Sequence, residues 1–163
     1  MTKPGILIDV PGLGSRVIHT VVSDYTGTLS RGGKFVPGVR DELLKLLRLV
    51  DIQVLTSDSY GTAAQELQGI LTPHILTGGR HDVEKEEYVE RFNVKHVAAF
   101  GNGNNDRLLL KRVKDFGGLA IAVDNGEGCA IDALLNSHIL IVGAVNALNL
   151  LLEPTACKAT LRF

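Results

Sequence analysis

Four short stretches of the chain carry side chains able to handle a phosphate group. The first is Asp24-Tyr25-Thr26-Gly27-Thr28, which follows the apolar run Val17 to Ser23. A carboxylate at the tip of a buried strand is a candidate nucleophile. The tight turn at Gly27 places free backbone N–H groups beside it that can cradle a phosphate. The second stretch, Leu55-Thr56-Ser57-Asp58, also ends a strand-like run. The hydroxyls of Thr56 and Ser57 can hydrogen-bond a phosphoryl oxygen, or they can cap a helix that begins near Gly61. The third is Lys85 within Glu84-Lys85-Glu86-Glu87, whose plain alternative is a solvated surface pair of little energetic weight. The fourth, Gly101-Asn102-Gly103-Asn104-Asn105-Asp106, combines close-approach glycines with amide and carboxylate oxygens that suit a hard cation such as Mg²⁺. An N-cap at Asn104 accounts for one of those oxygens and not for the rest. Each stretch alone is a common turn or surface feature. All four in this order are a far more specific signal.

The elements that must hold these residues are short β-rich runs alternating with amphipathic helical ones. Ile6 to Val10, Pro11 to Gly14 and Val17 to Ser23 predict a hairpin leading into a buried strand. Gly32-Gly33, within Leu29 to Val36, predicts a second, small hairpin. Val39, Leu43, Leu46, Leu47 and Val50 fall on one face of a helix. Strands are expected at Ile52 to Leu55, Ile75 to Leu76, Val97 to Phe100, Leu119 to Val123 and His138 to Val142. Helices are expected at Gly61 to Leu67, Val83 to Phe92, through Leu108, Leu109 and Val113, and at Ala144 to Leu152 as the last. The alternation predicts an α/β, Rossmann-like architecture, a mostly parallel sheet flanked by helices. Ligands of such sheets bind beyond the carboxyl ends of the strands, where three of the four stretches fall.

Composition narrows the function classes. The 163 residues, 45% hydrophobic and 21% charged, predict one domain spanning 1–163. A formal net charge of −1, with Lys and Arg scattered, argues against a nucleic-acid partner. The most apolar stretch, Ile139 to Leu152, is too short for a bilayer span and is interrupted by Gly143, Asn146 and Asn149. The N-terminus lacks a sustained apolar run. Cys129 and Cys157 form no metal-type spacing and read as reduced thiols. A soluble, cytoplasmic protein with no membrane partner is expected.

In combination, the four stretches resemble the motifs of the haloacid dehalogenase-like phosphohydrolase superfamily, and most closely the soluble relatives of the P-type ATPase phosphorylation domain. Asp24 to Thr28 match that group's first motif, an Asp followed by x-Thr-Gly-Thr. Thr56-Ser57-Asp58 match Thr-Gly-Asp with Ser for Gly, Lys85 supplies the lone Lys, and Gly101 to Asp106 match Gly-Asp-Gly-x-Asn-Asp with Asn102 for the first Asp. Ala147 to Leu152 and Ala159 to Arg162 also resemble the tail of these relatives, so the likeness spans nearly the whole chain.

The resemblance implies a Mg²⁺-dependent phosphohydrolase with Asp24 as nucleophile and an aspartyl-phosphate intermediate, aided by Thr56 and Lys85. It implies phosphate contacts at Tyr25, Gly27 and Ser57, and metal contacts at Asp24, the Thr26 carbonyl, and Asn102 or Asp106. Weak ATP hydrolysis falls within this expectation. Many superfamily phosphatases carry an acid–base Asp two residues after the nucleophile, a position that is Thr26 here. Such a loss costs ~10²–10⁴-fold in rate, so slow turnover of anhydrides, acyl phosphates and aryl phosphates is expected. Only 28 residues lie between Thr56 and Lys85, so a small hairpin flap and no cap domain are expected. The open site implies closure by a homo-oligomeric neighbour or a large phosphorylated substrate, whose identity the residues do not specify. Two other readings stand beside this one: a phosphotransferase, and a regulatory or binding module in which phosphorylation of Asp24 acts as a switch.

Overall fold

The computed structural model describes residues 2–163. In chain order the elements are β1 (Ile6–Val10), β2 (Gly14–Ile18), β3 (Thr20–Asp24), β4 (Ser30–Arg31), β5 (Lys34–Phe35), α1 (Val39–Leu46), β6 (Asp51–Thr56), α2 (Ala63–Glu66), β7 (His74–Ile75), α3 (His81–Val89), β8 (Val97–Gly101), α4 (Arg107–Asp115), β9 (Leu119–Asp124), α5 (Ile131–Leu135), β10 (Ile139–Val142), α6 (Ala144–Leu152) and α7 (Pro154–Leu161). The main sheet has six parallel strands in the order β10-β9-β8-β3-β6-β7. Two antiparallel pairs, β1-β2 and β4-β5, stand apart from it.

The period-2 alternation of the strands sorts their side chains into two cores. On one face Val21, Val54, Ala98, Phe100, Ile121 and Val123 pack with residues of α1, α2, α6 and α7 and with the β1-β2 hairpin. On the other, Val22, Leu55, Val97, Ala99 and Ala120 pack with Val89 of α3, Leu109, Leu110 and Val113 of α4, and Ala133 of α5. Strands buried on both sides read as continuous apolar runs, as Val97 to Phe100 and Leu119 to Val123 do. Among the described residues, no helix is long and apolar enough to cross a membrane.

The chain departs from the sequence-based expectation in four places, one of them the short helix α5, which was not expected. The run Val17 to Ser23 is broken at His19, whose N–H donates to the His96 carbonyl. The segment therefore contributes to two sheets, ending β2 and starting β3. The expected helix at Gly61 to Leu67 shrinks to α2, because Gly61 has φ 68° and the Asp58 carboxylate receives the N–H groups of Thr62 and Ala63. A further helix, α7, follows the one expected to be last. Pro154 occupies its first turn, where the missing N–H costs nothing, and Cys157 anchors it in the core.

The topology has one switch point. The chain leaves β3 towards β6 and β7, then crosses back to the other side of β3 for β8, β9 and β10. Connections diverge there above the carboxyl ends of β3 and β8, leaving a crevice. Register places Asp24 opposite Leu55, and Ser23 opposite Phe100, so Asp24 stands level with the start of the Gly101 loop. Phe100, fully buried beside that loop, is the largest apolar side chain of β8. Phe100→Ala is expected to cost about 3–5 kcal/mol, read as a lowered urea midpoint. An unchanged midpoint would show that the core does not depend on it.

Candidate active site

The centre of the crevice is an ion-pair triad. Asp24 lies on the same strand face as Val22, the face covered by α3 and α4. Lys85, on the inner side of α3, is fully buried and donates to Asp24 Oδ1 at 2.7 Å and to Asp106 Oδ1 at 2.6 Å. The run Glu84-Lys85-Glu86-Glu87 therefore does not mark a solvated surface at Lys85. Lys85 reaches past its acidic neighbours to two carboxylates distant in sequence. Asp106 Oδ2 accepts from the backbone N–H groups of Asn102, at 3.0 Å, and Gly103, at 2.9 Å, which folds the Gly101–Asp106 loop around it. Gly101 permits this approach, because a methyl group there would collide with the Asp106 side chain.

Two carboxylates and one ammonium leave the triad with one excess negative charge. Burial pushes the Asp24 carboxyl up to about 6, Asp106 adds to the rise, and Lys85 only partly opposes it. For Lys85, burial works against the charge, yet the attraction of Asp106 and Asp24 prevails and holds the ammonium above the ordinary lysine range.

The remaining residues of the four stretches divide into those that converge and those that do not. Thr28 had no role assigned from sequence. Its hydroxyl sits 3.2 Å from Asp24 Oδ2 and 3.3 Å from Asn102 Oδ1, so one proton is shared between nucleophile candidate and loop. The repeated Thr of Thr-Gly-Thr was the available signal. Gly27, with φ 77°, lies so close to the Asn102 amide that a Cβ would strike it. Asn102 is further held by donating to the Gly128 carbonyl at 3.3 Å.

Thr56, buried at the end of β6, accepts from the Asp58 N–H at 2.9 Å. Its own hydroxyl proton has no acceptor among the described contacts. Asp58 rather than Thr56 or Ser57 holds the first turn of α2, so both hydroxyls are spared capping. Ser57 is half-buried beside them.

Side-chain direction sets two of the expected site residues apart from the others. The Tyr25 ring points away from Asp24 into the β4-β5 flap, where its hydroxyl donates to the Gly33 carbonyl at 2.7 Å and its ring tilts against Phe35. Only the backbone N–H of Tyr25 faces the Asp24 carboxylate. Asp106, placed among metal contacts from sequence, is fully buried with both oxygens engaged by Lys85 and the loop backbone. Its geometry serves Lys85 and the loop, which leaves Asn102 as the better-placed oxygen donor of that pair.

A divalent cation fits the donors that remain. Asp24 Oδ2, the Thr26 carbonyl and Asn102 Oδ1 are hard oxygen ligands of the kind Mg²⁺ takes, with water and phosphate supplying the rest. The Thr26 carbonyl accepts no hydrogen bond among the described backbone contacts, and the buried Thr26 Oγ1 has no partner. Among the described residues no three His, Cys, Asp or Glu side chains surround a common point, so these residues do not form an all-protein cage. The excess negative charge of the triad is the physical reason a cation is favoured here.

No family model matches the chain. An uncharacterized protein of Methanocaldococcus jannaschii is 43% identical over 68 residues, which make up 42% of this chain and 69% of that protein. Among solved structures, 3-deoxy-D-manno-octulosonate 8-phosphate phosphatase of Moraxella catarrhalis, in complex with magnesium, phosphate and KDO, superposes with a TM-score of 0.62 at 15% identity, covering 87% of this chain and 90% of that one. The cobalt-bound deoxy-D-mannose-octulosonate 8-phosphate phosphatase of Haemophilus influenzae gives 0.61 at 13% identity, covering 87% and 91%. A Streptomyces avermitilis protein assigned to the HAD hydrolase family gives 0.55 at 18% identity, covering 80% of each chain. These likenesses establish the fold.

Because the folded state holds the Asp24 proton more tightly than the unfolded chain, this group's contribution to stability is fully present below about pH 4 and is lost as pH rises through about 6. Carboxyl NMR of the metal-free protein should show a titration centred near pH 6. Lys85→Met should raise that midpoint and Asp106→Asn should lower it. A midpoint at the ordinary aspartate value would contradict the buried triad.

Proposed function

We propose, from the premise that this chain carries the haloacid dehalogenase-like fold and belongs to one family with the Methanocaldococcus jannaschii protein, that it is a Mg²⁺-dependent phosphohydrolase acting through Asp24. The observation that carries this reading is the pairing of Asp24 with Lys85 and Asp106 at the switch point of the sheet. The magnesium and phosphate bound by the Moraxella catarrhalis phosphatase lend it support. The finer placement, with soluble relatives of the P-type ATPase phosphorylation domain, rests on Asp24 to Thr28 and on Gly101 to Asp106.

The chemistry follows from the charges. A carboxylate approaching a phosphate dianion at ~4 Å meets about 4 kcal/mol of repulsion per unit-charge pair at an effective dielectric of ~20. Lys85 cannot offset this alone, since Asp24 and Asp106 already outnumber it. Asp24, the Thr26 carbonyl and Asn102 would hold Mg²⁺. When bound, the ion would supply the missing positive charge and ease the approach of the phosphoryl group to Asp24.

Lys85 holds Asp24 Oδ1 and fixes the carboxylate plane. The Thr56 hydroxyl donates to an equatorial oxygen, with Ser57 beside it, whereas the Gly27 N–H is given to the Ser30 carbonyl at 3.1 Å and the Tyr25 N–H to the Asp24 carboxylate. An Asp24 oxygen forms the new P–O bond as the bond to the leaving group breaks. Water then cleaves phospho-Asp24, releasing inorganic phosphate and restoring the carboxylate. Thr26 cannot give the leaving group a proton at neutral pH, so anhydrides, acyl phosphates and aryl phosphates, ATP weakly among them, are the better substrates.

Thr26 also favours a second reading, in which Asp24 is phosphorylated and retains the group as a switch. Phosphate release over many turnovers supports the hydrolase, and a single stoichiometric burst supports the switch.

Asp24→Asn should abolish hydrolysis of p-nitrophenyl phosphate while leaving the circular dichroism spectrum unchanged. Parental activity in that variant would remove Asp24 from the mechanism. Thr26→Asp should raise kcat/KM for alkyl phosphates more than for aryl phosphates, by up to ~10²-fold if the general acid is restored. An unchanged alkyl-to-aryl ratio, with Mg²⁺ activation intact, would show that Thr26 does not limit turnover.

A further inference from the structure

One turn of α3 above Lys85 lies a cluster that the proposed chemistry does not use. A cavity of about 300 Å³ is lined by Gly79, Arg80, His81, Asp82, Asn104, Asn105 and Arg107. It joins the first turn of α3 to the loop that carries Asn102 and Asp106. Asp82 and Lys85 are three residues apart on one helix, and Arg107 follows Asp106 directly. The cavity therefore lies at the N-terminal end of the helix that carries Lys85, beside the loop that carries Asp106.

Its floor is a fork of two guanidinium groups on one carboxylate. Arg80 donates through Nε to Asp82 Oδ1 and through Nη2 to Asp82 Oδ2, both at 3.0 Å. Arg107 donates through Nη2 to the same Oδ2 at 2.9 Å. A guanidinium has five N–H donors, so three on Arg80 and four on Arg107 have no partner among the described contacts. Asp82 is the one carboxylate lining the cavity, which leaves the fork with a net charge of +1. Ion pairs as exposed as Arg80, whose side chain is 68% accessible, add little to stability. Bracing by Asp82 instead fixes the guanidinium planes, as bidentate recognition of an oxyanion requires.

We infer that the Arg80–Asp82–Arg107 fork, with the Asn104 and Asn105 amides, binds a second anionic group on the substrate, a carboxylate or a further phosphate, beside the phosphoryl group transferred. This deepens the phosphohydrolase reading and rests on it. With Mg²⁺ held at the triad its excess negative charge is reversed, so a substrate with two anionic ends would meet positive charge at both the triad and the fork. The rim also gives an open crevice a means of selection that enclosure would otherwise supply.

The test compares phenyl phosphate with para-carboxyphenyl phosphate and with para-phenylene bisphosphate, using the full chain with Mg²⁺. In Arg80→Gln and Arg107→Gln, KM for the two doubly anionic esters should rise roughly 10- to 100-fold relative to KM for phenyl phosphate. Each comparison is within one substrate, so differences in leaving group cancel. Arg80→Lys should recover part of the loss by keeping the charge. The carboxylate and bisphosphate arms separate the two anion types. An unchanged ratio in both Gln variants overturns the inference.

If the parental protein hydrolyses none of the three esters, the phosphohydrolase reading fails and the rim is judged by calorimetric binding of para-phenylene bisphosphate to the Mg²⁺-loaded chain. Weakening by roughly 10- to 100-fold in Arg80→Gln upholds the rim. Equal affinity, or no binding by the parent, overturns it.

Discussion

The Lys85 ammonium lies between two buried carboxylates, and the geometry of the crevice depends on that one cation. Without it, Asp24 and Asp106 would face each other as like charges in a medium that screens poorly. With it, Asp24 is fixed at the end of β3 and α3 is pinned to the sheet. The Gly101–Asp106 loop folds around the second oxygen of Asp106. The arrangement remains one positive charge short. Burial, with Asp106 adding to it, raises the Asp24 carboxyl to about 6, and the shortfall makes the crevice receptive to a cation.

Several features of this arrangement were legible in the sequence because they are local. A strand-end Asp followed by Gly, a Gly-Asn-Gly loop and alternating apolar runs each leave a short-range signature, and the β8 and β9 strands and α6 fall where those signatures place them. What was not legible depends on direction or distance. Nothing local in Asp24-Tyr25 says that the tyrosine ring turns into the flap, since its partner is the Gly33 carbonyl of the hairpin. The engagement of both Asp106 oxygens is set by a lysine 21 residues away and by the curl of its own loop. The break at His19 depends on the carbonyl of His96, and α7 on the core position of Cys157.

The β4-β5 flap is held by hydrogen bonds to its neighbours. Tyr25 and Thr62 both donate to the Gly33 carbonyl, and Asn125 Nδ2 donates to Ser30 O at 3.1 Å, so β4-β5 is tied to the elements on either side of it. Such ties hold a small hairpin that could not stand alone in water. Helix α3 contributes twice, with Lys85 at the triad and the Arg80–Asp82 pair one turn above. In the proposed reading one helix thus supports both the reacting group and the recognition of what it is attached to.

The central claim is that Asp24 itself takes up the phosphoryl group. The direct measurement is an acid quench of the Mg²⁺-loaded protein during turnover of p-nitrophenyl phosphate, followed by borohydride reduction and peptide mass spectrometry. An acyl phosphate at Asp24 is reduced to homoserine, and the account predicts homoserine at position 24 and at no other aspartate. Release of inorganic phosphate with Asp24 recovered unmodified at every quench time would contradict it.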